Sequence, residues 1–342
     1  MTVSDDLEPI TPREAVDRWI DSRREEATTS TVESYEYRLD QFLNWVESDR
    51  DAPLLNLNDL GGRDLQRFWE HRNASVEQTT MRNEFGTLTS WLEWCVAIEA
   101  VEPDLPEAAK AMKPQLSRGE RVNDVRLSTE QAGRILDYLD TFEYATREHA
   151  MMLLLWRTGC RISGLRALDV KDFDAEGQAL AAITRPNQGT RLKNGARGER
   201  LIALADETID VLQSYIKRRR ISNRDEFGRR PLLTTERGRA SKSLVRKTTY
   251  QLTHPCIYGP CPHEMNPDTC EFREHGHESK CPSALSPHKV RTGSISWMRE
   301  RGVPIEVISE RCDLTPETLR HHYDRSDPRE RLEQRREHID QL

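Results

Sequence analysis

The spacing of apolar residues predicts a helical unit in the first third of the chain. Thr11-Pro12-Arg13-Glu14 combines a good N-cap with proline at the first helical position, and it predicts a helix running to about Glu26. Helical periodicity also predicts helices from about Thr31 and over residues 63–71 and 79–97. The second of these helices carries one apolar face, formed by Val32, Tyr35, Leu39, Phe42, Leu43 and Val46. We therefore predict an all-helical domain at residues 8–114.

A second unit, predicted at residues 127–326, adds a small β element to further helices. Its start is marked by the capping signal Ser128-Thr129-Glu130-Gln131. Two alternating segments, 179–185 and 199–205, flank a glycine-rich loop and predict a strand hairpin. Helical patterns cover about 129–141, 145–157, 206–220, 242–252, 288–301, 305–311 and 317–323. A proline-rich and then polar stretch predicts a linker at 115–126, and residues 327–342 form a charged amphipathic tail.

Composition limits the class of protein. With 342 residues the chain is long enough for two domains. No apolar run approaches the roughly 20 residues of a membrane helix, and the N-terminus carries no signal-peptide pattern. We therefore expect a cytoplasmic protein.

The distribution of charge indicates a polyanionic partner despite a net charge of −7. Residues 1–50 hold 13 acids and 6 bases, whereas residues 216–247 hold 12 bases and 3 acids, a net of +9. A local basic patch attracts nucleic acid even on an acidic protein, although a basic helix end is as often simply solvated. The candidate DNA contacts are Arg218, Arg219, Arg220, Lys242, Arg246 and Lys247. Only nine of the 51 basic residues are lysines, which with many acids is typical of salt-loving organisms.

Arg161 follows a predicted core helix, in a position with no acidic partner nearby in the sequence. The apolar run 150–156 leads into Arg157-Thr158-Gly159-Cys160-Arg161, and Gly164 and Leu165 offer no carboxylate three or four residues later. Burying an unpaired guanidinium costs several kcal/mol. Arg161 is therefore exposed, paired with a distant residue, or available to an anion.

Four further residues complete a set suited to phosphoryl transfer. Lys193 lies in the glycine-rich hairpin, with Arg191 and Arg197 as rivals, and Tyr323 ends the last predicted helix of the second unit. His288 and Arg291 are spaced three apart and share a helix face. Taken singly, each could be an ordinary surface, capping or packing residue. Together they supply what phosphodiester cleavage needs.

Each residue type has a defined role in that chemistry. Two guanidiniums can grip the non-bridging phosphate oxygens in place of a divalent metal. The lysine can protonate the leaving oxygen, and the histidine can accept the proton of the attacking phenol. Tyr323 can form a covalent phosphotyrosine that stores the bond energy, so rejoining needs no ATP.

The chain resembles the tyrosine recombinase (phage integrase) family over essentially its whole length. The resemblance rests on an ordered set of features: T-G-C-R-I-S-G-L-R-A-L-D, a hairpin lysine, H-K-V-R and a terminal tyrosine. The resemblance implies a mainly α fold with a small sheet, in which a helical core-binding domain and a catalytic domain clamp duplex DNA. It implies a site-specific recombinase that makes a 3′-phosphotyrosyl link with Arg161, Lys193, His288, Arg291 and Tyr323, and needs no catalytic cofactor. A tetramer on DNA, joined through the C-terminal tail, is also expected. The acidic composition and a cysteine-rich insert look like the haloarchaeal branch.

Two departures from the family pattern favour an alternative. The family usually carries an acid three residues after the first arginine, where this chain has Gly164, and a second histidine near the position of Asp313 or Leu314. His321 and His322 directly precede Tyr323 and do not share its helix face. The alternative is a catalytically weak or inactive member that acts as a DNA-binding or architectural factor.

The insert at 254–284 suggests a structural zinc site. Four of the seven cysteines lie in it: Cys256, Cys261, Cys270 and Cys281. Four thiolates complete tetrahedral zinc, and His263, His275 or His277 could substitute for one of them. A small insert with few apolar residues would need such a metal to fold. Cys95, Cys160 and Cys312 are expected to pack as small apolar residues.

Overall fold

The computed structural model describes residues 7–50, 52–116, 125–323 and 336, and the chain divides into two compact units at residues 123 and 124. The predicted linker at 115–126 contains this division, and its residues 117–124 lie outside the described part, as do most of the predicted tail and residues 1–6. No helix in the described ranges is both long and apolar enough to cross a bilayer.

The first unit is all helical. Its helices are α1 (Pro12–Glu26), α2 (Thr29–Asn44), α3 (Gly62–Asn73), α4 (Gln78–Ala97) and α5 (Leu105–Ala111). Thr11 caps α1 as expected, with Oγ1 accepting from the Glu14 amide at 3.2 Å. A π-helical turn, Trp45–Asp49, extends α2. The short helix α5 was missed by the sequence prediction because its prolines indicated a domain end, whereas Pro106 lies in its first turn, where proline is tolerated.

Aromatic side chains form the centre of this unit. Phe42 lies 5.3 Å from Phe68 and 5.5 Å from Trp91, measured between ring centroids, and all three are almost fully buried. Nearby, Arg72 grips Glu84 with two parallel bonds, from Nε at 2.9 Å and from Nη2 at 2.6 Å. This paired geometry satisfies a carboxylate that is itself buried.

The second unit is built around the helix α7. Its helices are α6 (Thr129–Phe142), α7 (Arg147–Thr158), α8 (Ile162–Ala167), α9 (Asp206–Ser214), α10 (Lys242–Leu252), α11 (Pro287–Glu300), α12 (Ile305–Cys312) and α13 (Pro316–Tyr323). Ser128 and Gln131 form the expected capping box at the start of α6. Every residue from Ala150 to Trp156 is buried, which explains the unbroken apolar run. Helix α8, directly after Arg161, was not predicted.

Two small sheets accompany these helices. Strands β1 (Phe173–Asp174), β2 (Ala179–Ala182) and β3 (Arg200–Ala203) form an antiparallel sheet in the order β1-β2-β3. The β2–β3 register pairs Leu180 with Ile202, so the predicted hairpin is present with shorter strands. Strands β4 (Thr234–Thr235) and β5 (Gly238–Arg239) pair separately. A π-helical turn, Tyr215–Arg219, follows α9 where one continuous helix was predicted.

Helix α11 makes a close backbone contact at Gly293. A Cβ atom at this glycine would lie 2.1 Å from the carbonyl oxygen of Leu127 and 3.1 Å from the ring of Trp156. The Leu127 amide also donates to the Lys289 carbonyl at 3.2 Å. Glycine therefore lets the segment before α6 lie directly on α11, the helix that carries His288 and Arg291.

We predict that Gly293→Ala lowers the free energy of unfolding of the second unit by about 1–3 kcal/mol, since the added methyl group must displace backbone. The matched control is Gly133→Ala in α6, where a Cβ atom meets nothing within 4 Å. That change should leave stability unchanged or raise it by up to about 1 kcal/mol. Denaturant unfolding of both variants measures the difference, and equal stabilities would contradict the contact.

Candidate functional site

Arg161 lies at the junction of α7 and α8. Gly159 ends α7 in the left-handed region, with φ of 59°, and Arg161 is the N-cap residue of α8. A side chain at Gly159 would collide with the Cys312 sulfur, 2.8 Å from the position of a Cβ atom. The turn therefore needs glycine both for its backbone conformation and for space, and it turns the arginine towards the end of α12.

The partner of Arg161 is distant in sequence. Its Nη1 donates to the Asp313 carboxylate oxygen Oδ2 at 2.6 Å and to the Asp313 carbonyl oxygen at 2.7 Å. The arginine side chain is 22% exposed and that of the aspartate 13%. Of the three possibilities that the sequence left open, the structure shows pairing with a residue far along the chain.

Arg291 lies beside it, in the interior of α11. Its side chain is only 2% exposed. Its Nη1 donates to the Gly159 carbonyl and its Nη2 to the Cys312 carbonyl, the latter at 2.7 Å. The arginine thus joins the end of α7 to the end of α12.

Three consecutive carbonyls at the end of α12 each accept a hydrogen bond from an arginine. Arg200 donates from Nε to the Arg311 carbonyl at 2.9 Å, next to the contacts of Arg291 with Cys312 and of Arg161 with Asp313. The last carbonyls of a helix have no partner within it and carry its negative dipole end, so guanidiniums are stabilised there. The C-terminus of α12 therefore gathers cationic side chains from three different elements.

His288 is in the first turn of α11, where Pro287 begins the helix, on the same face as Arg291. The imidazole is exposed at the surface, yet the surrounding protein removes part of its hydration. This desolvation, followed by the positive charges of Arg291, Lys289, Arg161 and Lys193, lowers the pKa of His288 below its ordinary value. The imidazole is therefore neutral at neutral pH and able to accept a proton. His288 and Arg291 share a face of α11, and Arg291 and Arg161 donate to adjacent carbonyls at the end of α12.

Lys193 is exposed in the loop between β2 and β3. Its neighbour Asn194 donates from Nδ2 to Asp313 Oδ1 at 2.7 Å, which ties the loop to the end of α12. The rivals Arg191 and Arg197 are also exposed on this loop. Of the three, Lys193 is the one next to the residue that bonds to Asp313.

Tyr323 is the last residue of α13, the helix that follows α12. The side chains of His321, His322 and Tyr323 lie outside the described part of the chain. The structure therefore places the backbone of the predicted nucleophile one short helix beyond the arginine site.

A cluster of buried charges that was not predicted contacts the loop before Lys193, where Arg229 donates to Thr190 and to the Gln188 carbonyl. Arg185 donates from Nη1 to Asp172 at 2.9 Å, and Arg239 donates from Nη2 to Asp225 at 2.7 Å. Three acids and three arginines form the cluster: Asp169, Asp172, Asp225, Arg185, Arg229 and Arg239. These charges are close to one another only after folding, so no local sequence pattern could have revealed the cluster.

The predicted DNA contacts fall into two groups. Arg218, Arg219, Lys242 and Arg246 are exposed. Arg220 instead donates to the carbonyls of Pro231 and Asn223, and Lys247 pairs with Glu278 at 3.3 Å. The side chains of the first group are exposed to a partner, whereas those of the second group make contacts within the protein.

The insert at 254–284 is described throughout and consists of turns and short 3-10 segments. Buried Glu278 attaches it to α10 through Lys247, and the Glu278 carbonyl is 2.8 Å from His254 Nε2. The insert is thus attached to α10 through Glu278.

The structure does not support the predicted zinc site. All seven cysteines are free thiols, and Cys261 and Cys281 lie near enough to Cys256 to act on its pKa, which burial raises. However, no group of three or more His, Cys, Asp or Glu side chains in the described ranges has a geometry that could hold a metal ion. Cys95, Cys160 and Cys312 are buried as expected, and burial raises the pKa of the Cys312 thiol to about 11.

Comparison with known proteins agrees with this architecture. Residues 125–258 match the sequence profile of the phage integrase family. The fold matches the Tn1549 transposon integrase in complex with a circular intermediate DNA, at 14% identity over 97% of this chain and 100% of that chain, with a TM-score of 0.68. It also matches a lambda integrase dimer bound to a COC′ core site, at 12% identity over 96% of this chain and 78% of that chain, with a TM-score of 0.59.

The chain is also similar in sequence to a solved N-terminal domain. The N-terminal domain of a phage integrase/site-specific recombinase from Haloarcula marismortui is 33% identical over 30% of this chain and 96% of that chain, with a TM-score of 0.28. Residues 125–258 carry the sequence profile of the phage integrase family, the family of the tyrosine recombinases. The predicted fold class, a helical core-binding domain with a mainly helical catalytic domain, is confirmed.

Proposed function

We propose that this protein is a site-specific DNA recombinase that cleaves and rejoins strands through a 3′-phosphotyrosyl intermediate on Tyr323. The observation that carries the proposal is that Arg161 and Arg291 donate to adjacent carbonyls at the end of α12, one helix before Tyr323. His288 shares a helix face with Arg291, and Asn194, next to Lys193, bonds to Asp313. Solved members with this fold include an integrase in complex with DNA and an integrase dimer on a core site. Duplex DNA is therefore the proposed partner.

In the proposed reaction the Tyr323 phenol oxygen attacks the scissile phosphorus. The Tyr–O–P bond forms, the bond from phosphorus to the 5′ oxygen of the next nucleotide breaks, and that oxygen leaves as a hydroxyl. His288, neutral because its pKa is lowered, accepts the phenol proton, and Lys193 gives a proton to the leaving oxygen. A 5′ hydroxyl of another strand reverses these steps. No net hydrolysis occurs, so the phosphodiester bond energy is conserved.

The arginines stabilise the charge that develops on the phosphate. Arg161 is partly exposed and can contact the non-bridging oxygens, while buried Arg291 adds positive charge from behind. Their guanidiniums are held by backbone carbonyls, so they need little reorganisation when DNA binds. Exposed Arg218, Arg219, Lys242 and Arg246 are the proposed backbone contacts that position the duplex.

A second candidate function is DNA binding without efficient cleavage. It is favoured by Gly164, where the family usually has an acid, and by Asp313-Leu314, where the family usually has a second histidine. A tetramer on DNA and a haloarchaeal origin also remain proposals of the sequence. A recombinase forms a covalent adduct with DNA, whereas a protein that only binds DNA does not.

We predict that Tyr323→Phe abolishes the covalent protein–DNA adduct while duplex binding stays nearly unchanged, since only the nucleophilic oxygen is lost. The substrate is the DNA that flanks the gene, nicked close to the exchange point so that the adduct is trapped. Denaturing electrophoresis detects the adduct, and mobility shift measures binding. An adduct formed by the Phe variant would assign the nucleophile to another residue.

The lowered pKa of His288 predicts the pH dependence of cleavage. A base works only when neutral, so the rate should fall on the acid side with a midpoint below the ordinary histidine value of about 6.5. His288→Gln should be slower and lose this acid limb. Single-turnover cleavage between about pH 5 and 8 provides the measurement, and an unchanged acid limb in the Gln variant would remove His288 as the base.

A structural zinc in the insert stays a proposal that rests on the four cysteines and on the nearness of three of their thiols. Elemental analysis of the purified protein should give about one zinc per chain, as a closed four-ligand site requires. Cys270→Ser should lose that ion together with heat stability. A wild-type protein that folds and cleaves DNA without zinc would exclude this site.

A further inference from the structure

Asp313 connects two parts of the candidate site through its two carboxylate oxygens. Oδ2 accepts from Arg161 Nη1 at 2.6 Å, and Oδ1 accepts from Asn194 Nδ2 at 2.7 Å. Asn194 directly follows Lys193 in the sequence. One side chain therefore fixes the first arginine and the lysine loop relative to each other.

The local backbone is built to present this carboxylate. Asp313 ends α12 in the left-handed region, with φ of 54°, which aspartate and asparagine tolerate better than most residues. On the facing loop, a Cβ atom at Gly198 would lie only 3.3 Å from Asp313 Oδ2. The loop thus approaches closely because it has glycine at the contact.

The way in which Asp313 binds Arg161 matters for function. Both contacts, from the carboxylate and from the carbonyl, use the single nitrogen Nη1. In the described part of the chain, no protein group accepts from Nε or Nη2 of Arg161. The edge formed by these two nitrogens is the one that grips a carboxylate or phosphate at two points.

A buried ion pair elsewhere in the same chain provides the contrast. Glu84 occupies both Nε and Nη2 of Arg72, which leaves that edge closed to any other anion. Asp313 instead binds Arg161 only at Nη1, outside the Nε–Nη2 edge. A carboxylate that mimicked the phosphate would occupy the Nε–Nη2 edge. Asp313 leaves that edge open and can only orient the guanidinium.

We propose that Asp313 is a positioning residue for strand cleavage: it orients Arg161 and the Lys193 loop while leaving the Nε–Nη2 edge of Arg161 for the scissile phosphate. The proposal rests on the recombinase function proposed above. It also accounts for the missing acid at Gly164, because a carboxylate from α12 supports the first arginine instead.

The test uses Asp313→Gly and Asp313→Asn, since both residues accept the left-handed backbone. Losing the carboxylate should slow formation of the DNA adduct by roughly tenfold to a hundredfold, the cost of misplacing a reacting group by about 1 Å. The Asn variant keeps an acceptor and should fall between the Gly variant and wild type. DNA affinity should hold or rise, because a negative charge near the phosphate is removed.

Glu310→Gln is the matched control. It makes the same change of charge as Asp313→Asn, at an exposed side chain in the last turn of α12. It should leave the cleavage rate at the wild-type level. If it slows cleavage as much as Asp313→Asn, the effect is one of general charge and the positioning role is excluded.

A double-mutant cycle tests whether Asp313 acts through Arg161. Asp313→Gly should cost much less in an Arg161→Ala background than in wild type, because the group that it orients is gone. Fully additive losses would overturn the proposal. Faster cleavage by Asp313→Gly would overturn it too, since that result would identify an inhibitory contact.

The contact itself can be tested without cleavage. Phenylglyoxal modifies accessible guanidiniums, and mass spectrometry of the modified peptides reports the reaction of each arginine. Asp313→Gly should raise the reactivity of Arg161 but leave that of exposed Arg218 unchanged; equal reactivity of Arg161 in both proteins would overturn the proposal. If Arg161 responds but wild-type protein forms no adduct, the recombinase function and the role in cleavage fail, whereas the contact stands.

Discussion

The site depends on the attraction between guanidiniums and the open carbonyls at the end of α12. Arg200, Arg291 and Arg161 donate to three successive carbonyls there, and each comes from a different element. Such a helix end offers acceptors that no residue of the helix can satisfy. Arginines that would repel one another in isolation can gather around it. The chain in this way concentrates positive charge where a phosphate would bind.

This arrangement explains why several unrelated features of the second unit occur together. Gly159 must be glycine because Cys312 lies against it, and its carbonyl receives buried Arg291. Gly198 must be small because the lysine loop lies against Asp313. The cluster of Asp169, Asp172 and Asp225 with three arginines contacts the start of that loop through Arg229. Packing around the candidate residues therefore constrains where they lie.

The departures from the family pattern acquire a physical meaning in this setting. The chain has no acid next to its first arginine in sequence, yet the guanidinium is not left unpaired, because Asp313 reaches it from α12. Asp313-Leu314 stands where the family usually has a second histidine, and neither an ionised aspartate nor a leucine can donate a hydrogen bond to a phosphate. The bonds of Asp313 to Arg161 and Asn194 fit the positioning role proposed above.

The sequence by itself determined the helices with clear periodicity and caps, the hairpin, the fold class and the candidate set Arg161, Lys193, His288, Arg291 and Tyr323. Local rules suffice there, because apolar spacing and capping act within a few residues. Only the tertiary structure decided what pairs with Arg161, how Arg291 is buried, and that the insert is attached through Glu278. These contacts join residues from 21 to 152 positions apart, and no local pattern encodes which distant carboxylate or carbonyl will meet a given arginine. Cysteine spacing likewise does not fix where thiols lie after folding, and the described residues contain no metal-holding group of three or more His, Cys, Asp or Glu.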